Sequence, residues 1–208
     1  MDQTDASPFP IDFLSYEKKA WCSFRYVAGL DEAGRGAWAG PVVAAAVIFA
    51  PEVIIDGVRD SKLLTPKKRE ELFPVICERA LSFGVGLIDS HTIDEINILE
   101  ATKCAMVQAV QKLSVTPDHL LIDGPIFLDL KISQEPIIDG DALSFTIAAA
   151  SILAKVTRDR LMVDLSRRYS GYGFEKHKGY GTKVHREALE KKGCLPIHRH
   201  SYRPIRLC

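Results

Sequence analysis

Apolar residues along the chain occur both in short runs and in helical repeats, and the two patterns predict different elements. Short runs bounded by glycine, proline or acidic residues are typical of buried strands. Such runs predict strands over residues 26–30, 41–50, 81–88, 119–122 and 136–138. Apolar residues spaced three or four apart predict helices instead. Helices are expected over residues 11–21, 66–80, 92–113, 143–169 and 184–192.

Two stretches fit neither pattern. Residues 1–12 contain two prolines and are expected to form a loose arm. Residues 169–181 are rich in glycine and tyrosine, which favours a loop. The helix over residues 66–80 has a defined start, because Thr65 is a suitable N-cap and Pro66 fits the first helical position.

Two adjacent carboxylates follow the first predicted strand. Asp31 and Glu32 are succeeded by a loop that contains Gly34, Arg35 and Gly36. Burying paired acids is costly unless a cation or another partner compensates their charge. An isolated acidic pair is most often a polar turn, but here further acids occur at comparable places. Because consecutive strand residues point to opposite faces, the two acids share a site only if the chain bends between them.

Two further acids lie beside predicted buried structure. Asp123 directly follows the fourth strand. Asp159 falls on the apolar stripe of the helix over residues 143–169, where a solvated acid is not expected. The alternative for Asp159 is a place at the edge of the stripe, paired with Lys155 or Arg158. If the strands adjoin in one sheet, the acids that end the first and fourth strands converge.

Converging carboxylates predict a cation site, because like charges raise one another's pKa unless a cation sits among them. A ligand set of oxygens without histidine or cysteine suits Mg²⁺ or Mn²⁺. Two such ions about 3.5–4 Å apart activate a water and stabilise the leaving oxygen of a phosphodiester. The candidate chemistry is therefore metal-dependent hydrolysis of a phosphodiester.

The distribution of charge adds a candidate partner. The 208 residues suffice for one buried core and predict a single domain. The formal net charge is zero, but residues 155–208 carry 14 Lys and Arg against 5 Asp and Glu. That segment has a net charge of +9 and the preceding part has −9. The asymmetry suggests a basic face for a polyanion beside an acidic region that holds cations. A basic surface without a partner is the alternative.

Cysteine usage and hydropathy predict a cytoplasmic protein. The five cysteines are odd in number and none has CxxC spacing, which favours free thiols in a reducing compartment. The acidic start of the chain lacks the apolar core of a secretory signal. The sequence has no run of about 18 apolar residues, so we expect no membrane span.

Four motifs resemble those of bacterial ribonuclease HII, a type 2 ribonuclease H. They are DEAGRG at residues 31–36, IDG at 122–124, IAAASILAKVTRDR at 147–160 and HKGYGT at 177–182. The resemblance extends from about residue 26 to residue 204. It implies an α/β fold of the ribonuclease H-like type, a mixed five-stranded sheet flanked by helices. A helical and basic C-terminal segment over about residues 171–208 would contact the substrate.

The resemblance implies a metal-dependent endoribonuclease. Such an enzyme hydrolyses the RNA strand of RNA–DNA hybrids and cuts 5′ of single ribonucleotides embedded in duplex DNA. It leaves a 3′-hydroxyl and a 5′-phosphate and uses two Mg²⁺ or Mn²⁺ ions. The expected protein is a monomer with one catalytic domain over residues 1–208, of which residues 1–20 form an arm and a short helix. Whether a sliding clamp binds the protein stays open.

The resemblance also assigns roles to individual residues. The family's catalytic, metal-binding acids fall on Asp31, Glu32, Asp123 and Asp159. Its ribonucleotide-contacting loop falls on Gly34, Arg35 and Gly36. Glycine there lets the backbone approach the sugar closely. Its junction-sensing tyrosine falls on Tyr180, whose ring packs on the sugar and helps to detect the 2′-hydroxyl. Without the resemblance, a tyrosine between two glycines is more often a loop anchor.

Basic residues complete the expected nucleic-acid interface. The residues expected to line the strand-binding groove are Lys62, Lys155, Arg158 and His185. Leu63 stands where relatives often carry a second lysine after Lys62, so one backbone contact of the family is in question. The candidates for phosphate contacts in the C-terminal tail are Arg199, Arg203 and Arg206 with Tyr202, and a solvated tail is the alternative.

Three other classes compete with this interpretation. Gly34, Gly36 and Ala39 follow a strand and fit a loose dinucleotide-binding pattern of an oxidoreductase, with Asp56 roughly 20 residues on. That pattern requires a helix where residues 41–50 predict a strand. A non-catalytic nucleic-acid binder would not need acids that repel phosphate. Ribonuclease HIII is the near alternative, but it normally carries a further N-terminal domain, for which about 25 residues leave no room.

Overall fold

A mixed five-stranded sheet forms the centre of the protein, which a computed structural model describes over residues 12–206. The strands are β1 (Val27–Ala33), β2 (Val42–Ile48), β3 (Ser82–Ile88), β4 (His119–Asp123) and β5 (Ser133–Ile137). Their order across the sheet is β3-β2-β1-β4-β5. β1 pairs antiparallel with β2 and β2 with β3, whereas β1, β4 and β5 run parallel. The predicted fold class is confirmed.

Seven helices accompany the sheet in the described part of the chain. They are α1 (Ser15–Trp21), α2 (Pro66–Arg79), α3 (Ser90–Gln111), α4 (Gly140–Leu143), α5 (Phe145–Arg168), α6 (Phe174–His177) and α7 (Lys183–Lys192). The Thr65 hydroxyl accepts the Lys68 N–H over 3.2 Å and caps α2, as predicted. The sequence did not predict the single-turn helices α4 and α6. Residues 1–11 of the arm expected over residues 1–12 lie outside the described part of the chain.

Helices pack on both faces of the sheet. One apolar layer joins the sheet to α5 and α2, and a second joins it to α3. A Cβ on Gly29 of β1 would collide with the backbone of Thr146 and Ile147. Glycine therefore allows the start of α5 to lie directly on the central strand, which brings α4 to the edge of the sheet where β4 ends.

The C-terminal segment closes over the connection between β1 and β2. A third apolar cluster joins Ala39 of that connection to Met162 of α5, Phe174 of α6 and Leu189 of α7. Ala39 also forms an isolated antiparallel bridge with His198. The expected helical and basic C-terminal segment is confirmed.

The dinucleotide-binding alternative fails on the same connection. The residues after Gly34 and Gly36 lead into β2, an antiparallel neighbour of β1. A dinucleotide fold needs a helix there, so that its N-terminus can bind the pyrophosphate.

The described part of the chain contains four of the cysteines and the helices that bear on membrane association. Cys22, Cys77 and Cys104 are free thiols, as expected. Cys194 is disulfide-bonded, so the expectation is wrong at that position. Across residues 12–206, no helix is both long enough and apolar enough to span a bilayer.

Candidate active site

Three carboxylates meet at one end of the central strands. Oxygen atoms of Asp31, Asp123 and Asp141 all lie within 4.8 Å of one another. The parallel pairing of Leu30 with Ile122 places Asp31 and Asp123 side by side at the next position. Both acids face α5, because Leu30 and Ile122 belong to the opposite, α3-facing layer. The predicted convergence of these two acids is confirmed.

Asp141 supplies the third carboxylate, which the sequence did not predict. It lies in α4, directly after a left-handed turn at Asp139 (φ 54°). The Gly140 N–H donates to Asp123 Oδ1 over 2.7 Å and ties α4 to the end of β4. The sequence signal for Asp141 was weak, because this residue lies in a short helical turn after the fifth strand and not directly at a strand end.

The structure does not bring Asp159 into this cluster. Its Oδ1 accepts a hydrogen bond from Lys155 Nζ over 2.8 Å, and its Oδ2 lies 4.0 Å from Arg69 Nη2. The alternative pairing with Lys155 is the arrangement observed. Asp159 is thus paired with two cations on the helical layer and lies outside the carboxylate cluster, which contains Asp141 instead.

Glu32 lies at the margin of the cluster. β1 continues through Ala33, so the Glu32 side chain leaves the strand on the face opposite to Asp31. It nevertheless lies close enough for its charge to raise the pKa of Asp31. Its Oε1 accepts a hydrogen bond from Arg35 Nη1 over 3.3 Å. Its buried Oε2 has no hydrogen-bond partner among the described residues. A buried carboxylate oxygen without a donor is open to a cation.

The electrostatics of the site favour a bound cation. Burial and the charges of Glu32 and Asp123 raise the pKa of Asp31 well above its usual value. Burial and the charge of Asp141 raise the pKa of Asp123. Burial also raises the pKa of Glu32, although Arg35 opposes the shift. Ionising all of these groups together is unfavourable unless a positive charge joins them.

The oxygen donors fit a hard divalent ion. Asp31, Asp123 and Asp141 would hold such an ion, and the free oxygen of Glu32 extends the donor set. The described cluster contains no nitrogen or sulfur ligand, which suits Mg²⁺ or Mn²⁺.

The two segments expected to contact the ribonucleotide lie against each other. The Trp38 N–H donates to the Gly179 carbonyl over 2.8 Å. Gly34 has φ +97°, and a Cβ there would collide with the Arg158 guanidinium. Gly36 and Arg35 are exposed, and nothing lies within 4 Å of a Cβ built on Gly36. Space for a sugar near this loop is therefore available at Gly36.

Tyr180 is half-buried beside two cationic side chains. Lys155 Nζ lies 5.6 Å and Arg158 Cζ 5.3 Å from the centre of its ring. Lys155 is half-buried, whereas the Lys62 side chain is 74% exposed and reaches Asp141. Both lysines remain candidates for contact with a strand.

Two of the predicted groove residues do not face solvent. Arg158 and His185 are each 0% exposed, so neither is available to a nucleic-acid strand. Arg158 donates to backbone carbonyls, and the His185 Nδ1 lies 3.0 Å from the Tyr180 carbonyl oxygen. The sequence did not distinguish them from surface groups. Their polar partners are backbone carbonyls, which every residue carries and which residue types therefore do not reveal.

Arg199 in the tail is likewise buried. It donates to the Gly40 carbonyl over 2.9 Å and to the Arg35 carbonyl over 2.8 Å. The Tyr202 hydroxyl donates to the same Arg35 carbonyl. These two residues support the glycine-arginine loop from behind, whereas Arg203 and Arg206 are exposed.

The model of the family described as Ribonuclease HII matches residues 28–205. The chain belongs to the ribonuclease HII family. Ribonuclease HII of Bacillus licheniformis is 55% identical over 183 residues, which cover 88% of this chain and 71% of that protein. The family and its fold establish a ribonuclease H endonuclease, a hydrolase, as the catalytic class.

Solved structures agree with this membership. Ribonuclease H2 from Pyrococcus horikoshii OT3 superposes with a TM-score of 0.75 at 30% identity, covering 88% of this chain and 96% of that one. The structure of the PCNA:RNase HII complex from Archaeoglobus fulgidus gives a TM-score of 0.72 at 27% identity, covering 86% and 95%. The ribonuclease HII assignment takes precedence over the ribonuclease HIII alternative, because the matching family model is that of ribonuclease HII.

Proposed function

We propose that the chain hydrolyses the RNA strand of RNA–DNA hybrids and cuts 5′ of single ribonucleotides in duplex DNA. The observation that carries the proposal is the cluster of Asp31, Asp123 and Asp141 beside the unpartnered oxygen of Glu32. This cluster lies next to a loop with room for a sugar at Gly36. The products carry a 3′-hydroxyl and a 5′-phosphate.

Asp31, Glu32, Asp123 and Asp141 would hold two Mg²⁺ or Mn²⁺ ions in the active complex. When bound, such ions lower the pKa of a water and stabilise the charge on the leaving oxygen. The protein's own contribution is to fix its carboxylates in place: Gly140 N–H orients Asp123, and Glu32 N–H orients Asp31 through Oδ1 over 2.7 Å. Preoriented carboxylates lose little conformational entropy when they ligate.

Recognition of the ribonucleotide is divided between two segments. The exposed backbone at Gly36 and Arg35 approaches the sugar and phosphate, and the Tyr180 ring packs on the ribose and reads its 2′-hydroxyl. Lys62 and Lys155 contact the phosphates of the strand. The 2′-hydroxyl is the group that separates a ribonucleotide from its DNA neighbours, so these contacts set where the cut falls.

The remaining attributes follow from this role. The enzyme acts as a monomeric, single-domain protein of the cytoplasm on RNA–DNA hybrids and on DNA that contains ribonucleotides. A sliding clamp is a candidate partner, because a structural neighbour was solved as a complex with PCNA.

The proposal is tested by cleavage of three labelled duplexes with Mg²⁺ or Mn²⁺. They are a DNA duplex with one ribonucleotide, a full RNA–DNA hybrid and an all-DNA duplex. We expect cuts in the first two, none in the third, and loss of cleavage in Asp123→Asn. Cleavage of the hybrid alone would refute recognition of single ribonucleotides, and no cleavage by a folded wild type would refute the nuclease role.

A further inference from the structure

Arg158 lies buried between the two segments that are proposed to read the ribonucleotide. Its Nε donates to the Pro41 carbonyl over 2.9 Å, and its Nη2 donates to the Ala39 carbonyl over 3.1 Å. Its Nη1 donates to the Lys178 carbonyl over 2.9 Å. The first two acceptors follow the glycine-arginine loop, and the third precedes Tyr180 by two residues.

The same guanidinium contacts a residue of each segment directly. It fills the space beside Gly34, where a Cβ would collide with it. It also lies 5.3 Å from the centre of the Tyr180 ring, within the range of a cation–π interaction. One side chain on α5 therefore touches both the loop before β2 and the ring expected to sense the ribose.

Burying this charge is costly, and backbone carbonyls rather than a carboxylate satisfy its donors. Burial lowers the pKa of Arg158 to about 10, so the group still carries its charge at neutral pH. A charge held in this way is expensive compared with an apolar side chain of similar volume. What the arrangement provides is a fixed distance between two chain segments that are separated by more than a hundred residues.

Two buried histidines hold the backbone of the Tyr180 segment. The Leu195 N–H donates to His198 Nδ1 over 2.7 Å, so the proton of His198 is on Nε2. That Nε2 lies 3.0 Å from His185 Nε2, and His185 Nδ1 then donates to the Tyr180 carbonyl over 3.0 Å. Burial lowers the pKa of both histidines to about 4, so both are neutral at pH 7.

We propose that Arg158 is a positioning residue that sets the gap between Gly36 and Tyr180 and thereby the discrimination between ribose and deoxyribose. This inference rests on the proposed function of the site. Arg158 does not touch the substrate. It acts through Tyr180, because it contacts the Tyr180 ring while the histidine pair holds the Tyr180 carbonyl. A change at Arg158 lets the two segments separate, and the pocket then accepts either sugar.

The test measures binding of two duplexes that differ by one 2′-hydroxyl. The affinities of a DNA duplex with one ribonucleotide and of the all-DNA duplex are measured by fluorescence anisotropy with Mn²⁺. Every protein carries Asp123→Asn, which prevents cleavage. The readout is the ratio of the two dissociation constants, measured for the parent and for Arg158→Gln, Arg158→Lys, Tyr180→Ala and Arg158→Gln with Tyr180→Ala.

We expect Arg158→Gln to reduce this ratio by about tenfold, which corresponds to about 1.4 kcal/mol. Arg158→Lys keeps the charge but not the three carbonyl contacts and should give an intermediate ratio. The double variant should match Tyr180→Ala alone, because Arg158 acts through that ring. Arg167→Gln is the matched control, since Arg167 is an exposed arginine on the same helix that pairs with Asp164, and it should leave the ratio unchanged.

The outcomes separate the two proposals. If the parent protein does not distinguish the duplexes, the proposed function fails. If the parent distinguishes them and both Arg158 variants keep its ratio, the positioning role is overturned, even when their melting temperatures fall. Additive losses in the double variant would also overturn it. If Arg158→Gln does not fold, Arg158→Lys carries the same comparison.

Discussion

Lys62 Nζ donates a hydrogen bond to Asp141 Oδ2 over 2.8 Å and so places a positive charge at the edge of the carboxylate cluster. Burial alone would lower the pKa of Lys62, but the hydrogen bond and charge of Asp141 outweigh it and raise the pKa. The charge of Lys62 also opposes the rise in the pKa of Asp123 and in the pKa of Glu32, which burial causes. In the absence of a metal ion, Lys62 therefore offsets part of the repulsion among the acids.

Replacing Lys62 by methionine should increase the dependence of the fold on metal ions. The metal-free variant should lose no more than about 1 kcal/mol of stability at pH 8, because the lysine is largely exposed. The rise in melting temperature on adding Mn²⁺ should then exceed that of the wild type, since the ions neutralise a more crowded set of charges. Differential scanning fluorimetry measures both. An unchanged response to Mn²⁺ would show that Lys62 does not act on the metal site.

The raised pKa values of Asp31 and Asp123 predict a pH dependence of metal binding. A carboxyl group whose pKa is raised by folding contributes stability that is full below its unfolded pKa, about 3.9. That stability is lost as the pH rises through the folded pKa. The ionised cluster therefore lowers the stability of the metal-free protein at neutral pH. A metal ion binds only this ionised form of the cluster.

Stabilisation by Mg²⁺ should therefore grow with pH. At a concentration 100 times the dissociation constant, the ion adds about 2.7 kcal/mol. Melting temperatures with and without Mg²⁺ at pH 5.5 and pH 8 provide the comparison. In the control variant Asp141→Asn, Mg²⁺ should raise the melting temperature only weakly. Equal stabilisation at the two pH values would contradict the buried carboxylate site.

Two neighbouring glycines should respond differently to alanine. Gly34→Ala introduces a side chain at φ +97° and against Arg158, so we expect a loss of about 1–3 kcal/mol in unfolding free energy. Gly36→Ala meets no atom within 4 Å and should change stability by no more than about 0.5 kcal/mol. Its kcat/KM on a duplex with one ribonucleotide should nevertheless fall at least tenfold, because the added methyl group occupies the space of the sugar.

Denaturant titration and steady-state kinetics check these two variants. Full activity in Gly36→Ala would place the sugar elsewhere. Normal stability in Gly34→Ala would contradict the tight packing of Arg158 against the loop.

The sequence predicted the sheet well and the site only in part. The strands that carry Asp31 and Asp123 were recognised because short apolar runs bounded by turns have few alternatives. Their parallel pairing then brought the two acids together. Glu32 was predicted for the same site, and its side chain leaves β1 on the other face and lies at the margin of the cluster.

Asp159 and Asp141 show where the sequence pattern was insufficient. An acid on an apolar stripe suggests function, but Lys155 one turn earlier and Arg69 on the neighbouring helix neutralise Asp159. Asp141 lies in a single helical turn, and its approach to Asp123 depends on a left-handed residue at position 139. The spacing of apolar residues in the sequence does not predict such a turn. Arg158 and His185 were misplaced for a related reason, because burial of a basic side chain against carbonyls is a tertiary feature.

The most direct test of the site compares Asp141→Asn with Asp159→Asn, with cleavage of a DNA duplex that contains one ribonucleotide measured in Mg²⁺ and Mn²⁺. Asp141→Asn removes a carboxylate from the cluster and should lower kcat by at least about 100-fold, comparable to losing an electrostatic catalytic group. Asp159→Asn keeps the cluster intact and should retain kcat within about threefold, with any stability change within about 1 kcal/mol. Both variants differ from the wild type by the same loss of one carboxylate. Loss of cleavage in Asp159→Asn with normal activity in Asp141→Asn would contradict the assignment of Asp31, Glu32, Asp123 and Asp141 as the catalytic acids.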